Sequence, residues 1–208
     1  MTEHSGTHID ALCHQAEDMK MYGGIEANAD VQTSTGFTQL GAETIEPIIR
    51  RGVIIDLPLL HGAALPEGHA IGASELEKAC VNQGLSITPG SVVLVRTGYG
   101  SLWADSARYL KAPGVERDGS EWLAELDVFS VGIDNVAWDL PEATDPVTES
   151  TLPGHLVLLV RNGIYIIENL FLEKLSEVRP SEFVFACVPL KFQGGTGCPV
   201  RPLALIPS

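Results

Sequence analysis

Basic residues are scarce in this chain: 13 Lys and Arg stand against 27 Asp and Glu, giving a formal net charge of −14 over 208 residues. A phosphate backbone or an anionic membrane surface would be repelled, and no Lys/Arg cluster offers a local exception, so neither nucleic acid nor membrane is expected as a partner. No apolar run approaches the length of a membrane span, and no basic-then-apolar leader is seen. The expectation is a cytoplasmic protein. Cysteine is also sparse. Cys13, Cys80, Cys187 and Cys198 are widely spaced with no CxxC pair, which excludes the disulfide framework of a small secreted domain and favours reduced thiols. Repeats and low-complexity linkers are absent. With 45% hydrophobic and 19% charged residues, the composition fits one globular domain over 1–208.

What the chain does have is a dense group of metal-ligand residue types at its start. MTEHSGTHIDALCH places His4, His8, Asp10 and His14 within one short segment. Neutral imidazole and ionised carboxylate together suit zinc or manganese. If Thr7 to Asp10 is extended, His8 and Asp10 point to one face and Thr7 and Ile9 to the other. Gly6 tolerates positive φ, so a bend there could bring His4 beside them. If DALCHQAEDM opens a helix near Asp10, His14 lies one turn on over the same site. It could then carry protons rather than bind metal. Cys13 adjoins His14, but neighbours on a helix point about a hundred degrees apart, so Cys13 reads as core rather than as a nucleophile.

A second group lies in ESTLPGHLVLLVRNGIYIIENL. His155 opens an apolar run, Leu156 to Val160, that ends at Arg161-Asn162-Gly163 and reads as a short helix. A histidine in the first helical turn is kept neutral by the positive end of the helix dipole, which is the form that binds metal. The run from Ile164 to Glu168 reads as a buried strand ending in a carboxylate at its edge. His155 and Glu168 are therefore candidates for the rest of the site.

Elsewhere, strand-like and helix-like segments alternate. Thr44 to Arg51 reads as a short helix, Gly52 to Pro58 as a buried strand, and Glu75 to Gln83 as a helix ended by Gly84. Ser91 to Thr97, Val128 to Asp134 and Phe183 to Pro189 read as further strands. The pattern implies an α/β protein. Tyr99, Trp103 and Trp138 follow strand ends and could floor an aromatic substrate pocket. The glycine-dense segment Gly194 to Gly197 could cradle an oxyanion or approach the metal site closely. His61 and His69 flank an Ala/Pro/Gly loop and read as solvated.

HSGTHIDALCH resembles the H-x-G-T-H-x-D-x-x-x-H signature of the cyclase family, which includes bacterial kynurenine formamidases and isatin hydrolases. GID at 132–134, the pairing of His155 with GIYIIENL, and PLKFQGGTGCPVRPLALI resemble further blocks of that family in the same order. The resemblance implies a swivelling β/β/α-type mixed sheet with a barrel-like centre. It implies that His4, His8 and Asp10 bind a first divalent ion, that Asp10, His155 and Glu168 hold a second where two are present, and that His14 is the general acid/base. Relatives carry zinc or manganese, one ion or two. The implied activity is metal-dependent hydrolysis of a C–N amide bond in a small aromatic or cyclic substrate, such as an aryl formamide of tryptophan catabolism or an isatin-like lactam. A polyketide-type cyclisation at the same metal and a catalytically silent relative are the alternatives. Family members usually carry several dozen residues before the signature, where this sequence has three. An exposed sheet edge or an incomplete core is therefore expected, inviting poor stability or a homo-oligomer, dimer or tetramer.

Overall fold

The computed structural model describes residues 3–206. Its strands, in chain order, are β1 (His8–Asp10), β2 (Gln32–Thr33), β3 (Gly36–Phe37), β4 (Ile48–Asp56), β5 (Ala70–Ile71), β6 (Val92–Arg96), β7 (Gly114–Val115), β8 (Ser130–Ile133), β9 (Tyr165–Glu168), β10 (Phe183–Cys187), β11 (Gly197–Pro199) and β12 (Leu203–Leu205). Its helices are α1 (Leu57–His61), α2 (Ala73–Gln83), α3 (Ser106–Tyr109), α4 (Arg117–Glu125), α5 (Pro153–His155) and α6 (Glu173–Val178).

One curled mixed sheet of eight strands, a half-barrel, organises the molecule in the order β11-β1-β9-β8-β6-β4-β10-β12. Its centre is parallel, β4 to β6 to β8 to β9, and its flanks are antiparallel. This is the α/β fold with a barrel-like centre that the resemblance implies. The central strands read as unbroken apolar runs because both of their faces are covered. Val53, Ile55, Val93, Val95, Val131 and Ile133 pack against Leu76, Leu123, Leu158 and Leu159 on the helical side. Ile54, Val92, Leu94 and Ile167 meet Ile9, Phe183 and Phe185 within the curl. At the sheet's end, Leu203, Ala204 and Leu205 of β12 are exposed. No helix among the described residues is long and apolar enough to cross a membrane.

Two expected helices are not formed. The segment expected as a helix from Thr44 to Arg51 is a single 3-10 turn, Ala42–Thr44, followed by β4 from Ile48. Pro47 disfavours helical geometry at Glu46, and the β-branched pair Ile48-Ile49 favours extension. The residues after Asp10 also form no helix. Ala11 to His14 make a turn closed by the His14 N–H on the Ala11 carbonyl, while the Ala11 and Cys13 amides bond Thr196 and Leu40. Long-range backbone partners replace helical ones here, which local periodicity does not register. The run after His155 does continue helically from α5, but as a π-type segment, Leu156–Arg161.

Candidate metal centre

β1 lies between β11 and β9, so both neighbours of the His8–Asp10 segment come from the C-terminal part of the chain. His8 stands directly opposite Glu168 across the β1–β9 ladder. The alternation of β1 turns His8 and Asp10 to one side, and both are buried. Gly6 adopts φ 69°, the left-handed bend expected before the strand. His4 returns over β1, with Nδ1 2.9 Å from Asp10 Oδ1. Gly197 permits this close approach, because a Cβ there would lie 2.8 Å from His4 Cε1 and 2.7 Å from the Ile9 carbonyl oxygen.

The other groups arrive from the far half of the chain. His155 Nε2 is 3.5 Å from Asp10 Oδ2 and 3.5 Å from Glu168 Oε1. His8 Nε2 is 3.4 Å from Asp10 Oδ1 and 3.4 Å from Glu168 Oε2. The His14 ring centroid is 4.3 Å from that of His4 and 5.7 Å from that of His155. Ligand atoms of Asp10, His14 and His155 fall within 4.8 Å of one another, as do those of His4, His8 and Asp10.

Hydrogen bonds outside the cluster fix which imidazole nitrogen faces inward. His8 Nδ1 is 2.8 Å from the Gly6 carbonyl, which can only accept, so Nδ1 carries a hydrogen and Nε2 is the nitrogen turned to the carboxylates of Asp10 and Glu168. His155 Nδ1 donates to Asp139 Oδ2 at 2.5 Å, which aims its Nε2 at Asp10 and Glu168. His4 Nε2 is 2.8 Å from Thr196 Oγ1, whose own hydrogen goes to Glu3 Oε1. That leaves His4 Nδ1 facing Asp10. Asp139 also accepts from the Gly154 and His155 amides, locking the start of α5. Glu168 Oε1 accepts the Trp138 N–H at 2.7 Å. Asp139, Thr196 and Glu3 escaped the sequence reading, because each acts through a distant backbone or side-chain partner rather than through a motif.

The electrostatics match a site for a cation. Asp10 is fully buried, and its oxygens face the imidazole nitrogens of His4, His8 and His155 with no backbone or hydroxyl donor among the described residues. An ionised carboxylate so placed needs compensating positive charge. Burial pushes the Asp10 carboxyl up, but the imidazoles of His155, His4 and His8 outweigh it and hold the group well below the usual carboxylate range. Burial pulls His8 down, yet the Asp10 and Glu168 carboxylates raise it to about 10. The same opposition leaves His155 well above the ordinary histidine value. His14 behaves differently: burial pushes it down to about 4, so its imidazole is neutral at pH 7. Burial raises the Cys13 thiol to about 12 and its side chain is buried, consistent with a core residue.

The expected aromatic floor is only partly present. Trp138 is fully buried with its indole N–H on Ser120 Oγ, and Tyr99 is buried beside Tyr109 and Ala112. Neither exposes a face to a substrate, which corrects the expectation for both. A strand end is equally a place where a large ring seals the core. Trp103 is exposed and meets Tyr109 edge-on. With Gly6, Thr7, Tyr109, Asn169 and Phe171 it lines a cavity of about 400 Å³.

The Cyclase family model matches residues 1–140. The chain belongs to the Cyclase family. Among its relatives, this Cyclase-family chain is 28% identical to cyclase-like protein 2 of Oryza sativa subsp. japonica, covering 97% of its own length and 61% of that protein's. It is 28% identical to the isatin hydrolase of Roseibium aggregatum, over 99% of this chain and 72% of that one. The kynurenine formamidase of Bordetella avium is likewise 28% identical, over 88% and 76% of the two lengths. A crystal structure of a novel cyclase superimposes with a TM-score of 0.88 at 31% identity, covering 99% of this chain and 70% of that one.

Proposed function

We propose that this Cyclase-family chain is a metal-dependent hydrolase that cleaves the C–N bond of a small aromatic or cyclic amide, an aryl formamide or an isatin-like lactam. The observation that carries the reading is Asp10: a fully buried carboxylate met by no backbone or hydroxyl donor, only by inward-turned nitrogens of His4, His8 and His155, with Glu168 alongside. Nitrogen and carboxylate donors of this kind suit Zn2+ or Mn2+, one ion or two, with His4, His8, Asp10, His155 and Glu168 as the holding residues. When bound, such a cation supplies Lewis-acid polarisation of a carbonyl and acidifies water.

The chain's own residues supply positioning and proton transfer. Asp139, the Gly6 carbonyl and Thr196 hold three imidazoles in the orientation a cation requires, so little rearrangement is spent on binding. His14, neutral at pH 7, takes a proton from the attacking water and returns it to the leaving nitrogen. A Cys13 nucleophile has no place in this scheme, because its thiol stays protonated. The substrate class rests on the relatives named isatin hydrolase and kynurenine formamidase.

Elemental analysis combined with hydrolysis of a panel of aryl formamides, lactams and cyclic imides tests the proposal. His8→Ala and Asp10→Ala should lose metal and turnover together. His14→Ala should keep its metal and lose roughly a hundredfold or more in turnover. Full metal content in the first two variants would sink the assignment of the centre, and metal loss in the third would make His14 a ligand.

A further inference from the structure

Away from that centre, a second convergence of metal-ligating side chains has no role in the proposed hydrolysis. His61 is the last residue of α1, His69 precedes β5, and Glu75 lies in the first turn of α2. His61 Nε2 is 2.6 Å from Glu75 Oε1, and His69 Nε2 is 3.1 Å from Oε1 and 3.0 Å from Oε2. The two rings stand 5.7 Å apart, nearly perpendicular. One ligand atom from each of the three residues falls within a 4.8 Å group. The two histidines are partly exposed, as expected, and both also bond Glu75.

We infer that His61, His69 and Glu75 form a second divalent transition-metal site, a surface clip for Zn2+. Two imidazole nitrogens and one carboxylate are a zinc donor set, with solvent completing the tetrahedron. Ca2+ and Mg2+ are disfavoured, because they require a shell of oxygen ligands. The approach is open, since the three side chains are between 17% and 38% exposed. The backbone holds the donors in place. Gly62, at φ 77°, ends α1 with its N–H on the Pro58 carbonyl, and the His69 carbonyl accepts the Gly114 N–H. Glu75 also sits where a helix's first turn favours an anion. The ion would staple α1 to α2 and close the loop between them. That loop packs Ala64 beneath Gly98 and donates the Leu65 N–H to the Thr97 carbonyl. The clip therefore supports a turn of the main sheet without sharing any residue with the first centre.

The test is Zn2+ stoichiometry after dialysis of the full chain against micromolar Zn2+, with folding of each variant verified by circular dichroism. Wild type should hold one Zn2+ per chain more than His61→Ala/His69→Ala. Glu75→Gln, which keeps shape and hydrogen bonding but removes the anionic donor, should bind that ion at least tenfold more weakly. Asp10→Ala should retain it, so that failure here and failure at the first centre are separable. Equal stoichiometry in wild type and the double variant, or binding of the extra ion only at millimolar Zn2+, overturns the inference and leaves a hydrogen-bonded His-Glu-His cluster.

Discussion

Asp139 shows how much of the candidate metal centre rests on residues outside its proposed ligands. Its Oδ2 accepts from His155 Nδ1 at 2.5 Å and from the His155 amide at 3.1 Å, so one carboxylate fixes both ring and backbone. Asp139→Asn preserves the shape but replaces a charged acceptor with a neutral amide. Metal affinity should fall by roughly ten- to a hundredfold, as for other partners of a ligating histidine. Competition against a chromophoric chelator measures it, and an unchanged affinity would remove Asp139 from the site. The contrast with β1 shows what a sequence can display. His8 and Asp10 were legible because strand alternation is a local rule, and Gly6 because a left-handed bend needs glycine. His155 and Glu168 stood as candidates from a helix-start histidine and a strand-end carboxylate, but their meeting with His8 and Asp10 depends on long-range packing such as the β1–β9 pairing, which local rules do not show. Asp139 carried no signal at all, because its partners lie 15 and 16 residues away.

At the scale of elements, close backbone approach decides where the site's parts can sit. The start of α5 is wedged against the core at Gly154, where a Cβ would meet Trp138 Cδ1 at 2.6 Å, Ser120 Oγ at 2.8 Å and Asp139 Oδ1 at 2.9 Å. Gly154→Ala should therefore cost about 1–3 kcal/mol in urea unfolding, as overpacking does. It should also weaken metal binding by displacing His155; a variant with wild-type stability and affinity would show that α5 moves freely. The turn after β6 is held by a different device. Asp134, at the end of β8, accepts from the Thr97 N–H and hydroxyl and the Gly98 N–H at 2.7–2.9 Å. Burial nevertheless raises its carboxyl to about 6, against the lowering effect of those donors. The unfolded carboxyl titrates near 3.8. Between these values the folded state holds more protons, so this contribution is fully present below about pH 4 and is lost as pH rises through about 6. The difference in unfolding free energy between wild type and Asp134→Asn should fall by on the order of 3 kcal/mol between pH 4 and pH 7. A pH-independent difference would contradict it. The strands β6, β8 and β9 and the half of β4 from Gly52 onward were legible because burial on both faces writes an unbroken apolar run. The false helix at Thr44 to Arg51 arose because a short amphipathic string carries no record of the β10 strand that pairs with it.

On the scale of the whole molecule, the candidate centre ties together segments that are far apart in sequence. Its ligands run from His4 to Glu168, and the hydroxyl that orients His4 belongs to Thr196. An unfolded chain cannot present these groups together, so metal binding is linked to global folding rather than to one loop. The formal charge of −14 adds to this, because a cation relieves repulsion that the folded state concentrates. Above its dissociation constant, each occupied site should stabilise the native state by about 1.4 kcal/mol per tenfold increase in free Zn2+, and the contributions of the sites add. For a chain of this size that is roughly 3–5 °C in Tm per decade. Wild type should follow this dependence in calorimetry across a metal-buffer series, and a chelator should reverse it. Asp10→Ala should keep only the single-site dependence contributed by His61, His69 and Glu75. Adding His61→Ala/His69→Ala to that variant should flatten the curve. If Asp10→Ala retained the full wild-type slope, the ion that stabilises the fold would be bound elsewhere, and the buried carboxylate at the end of β1 would need another explanation.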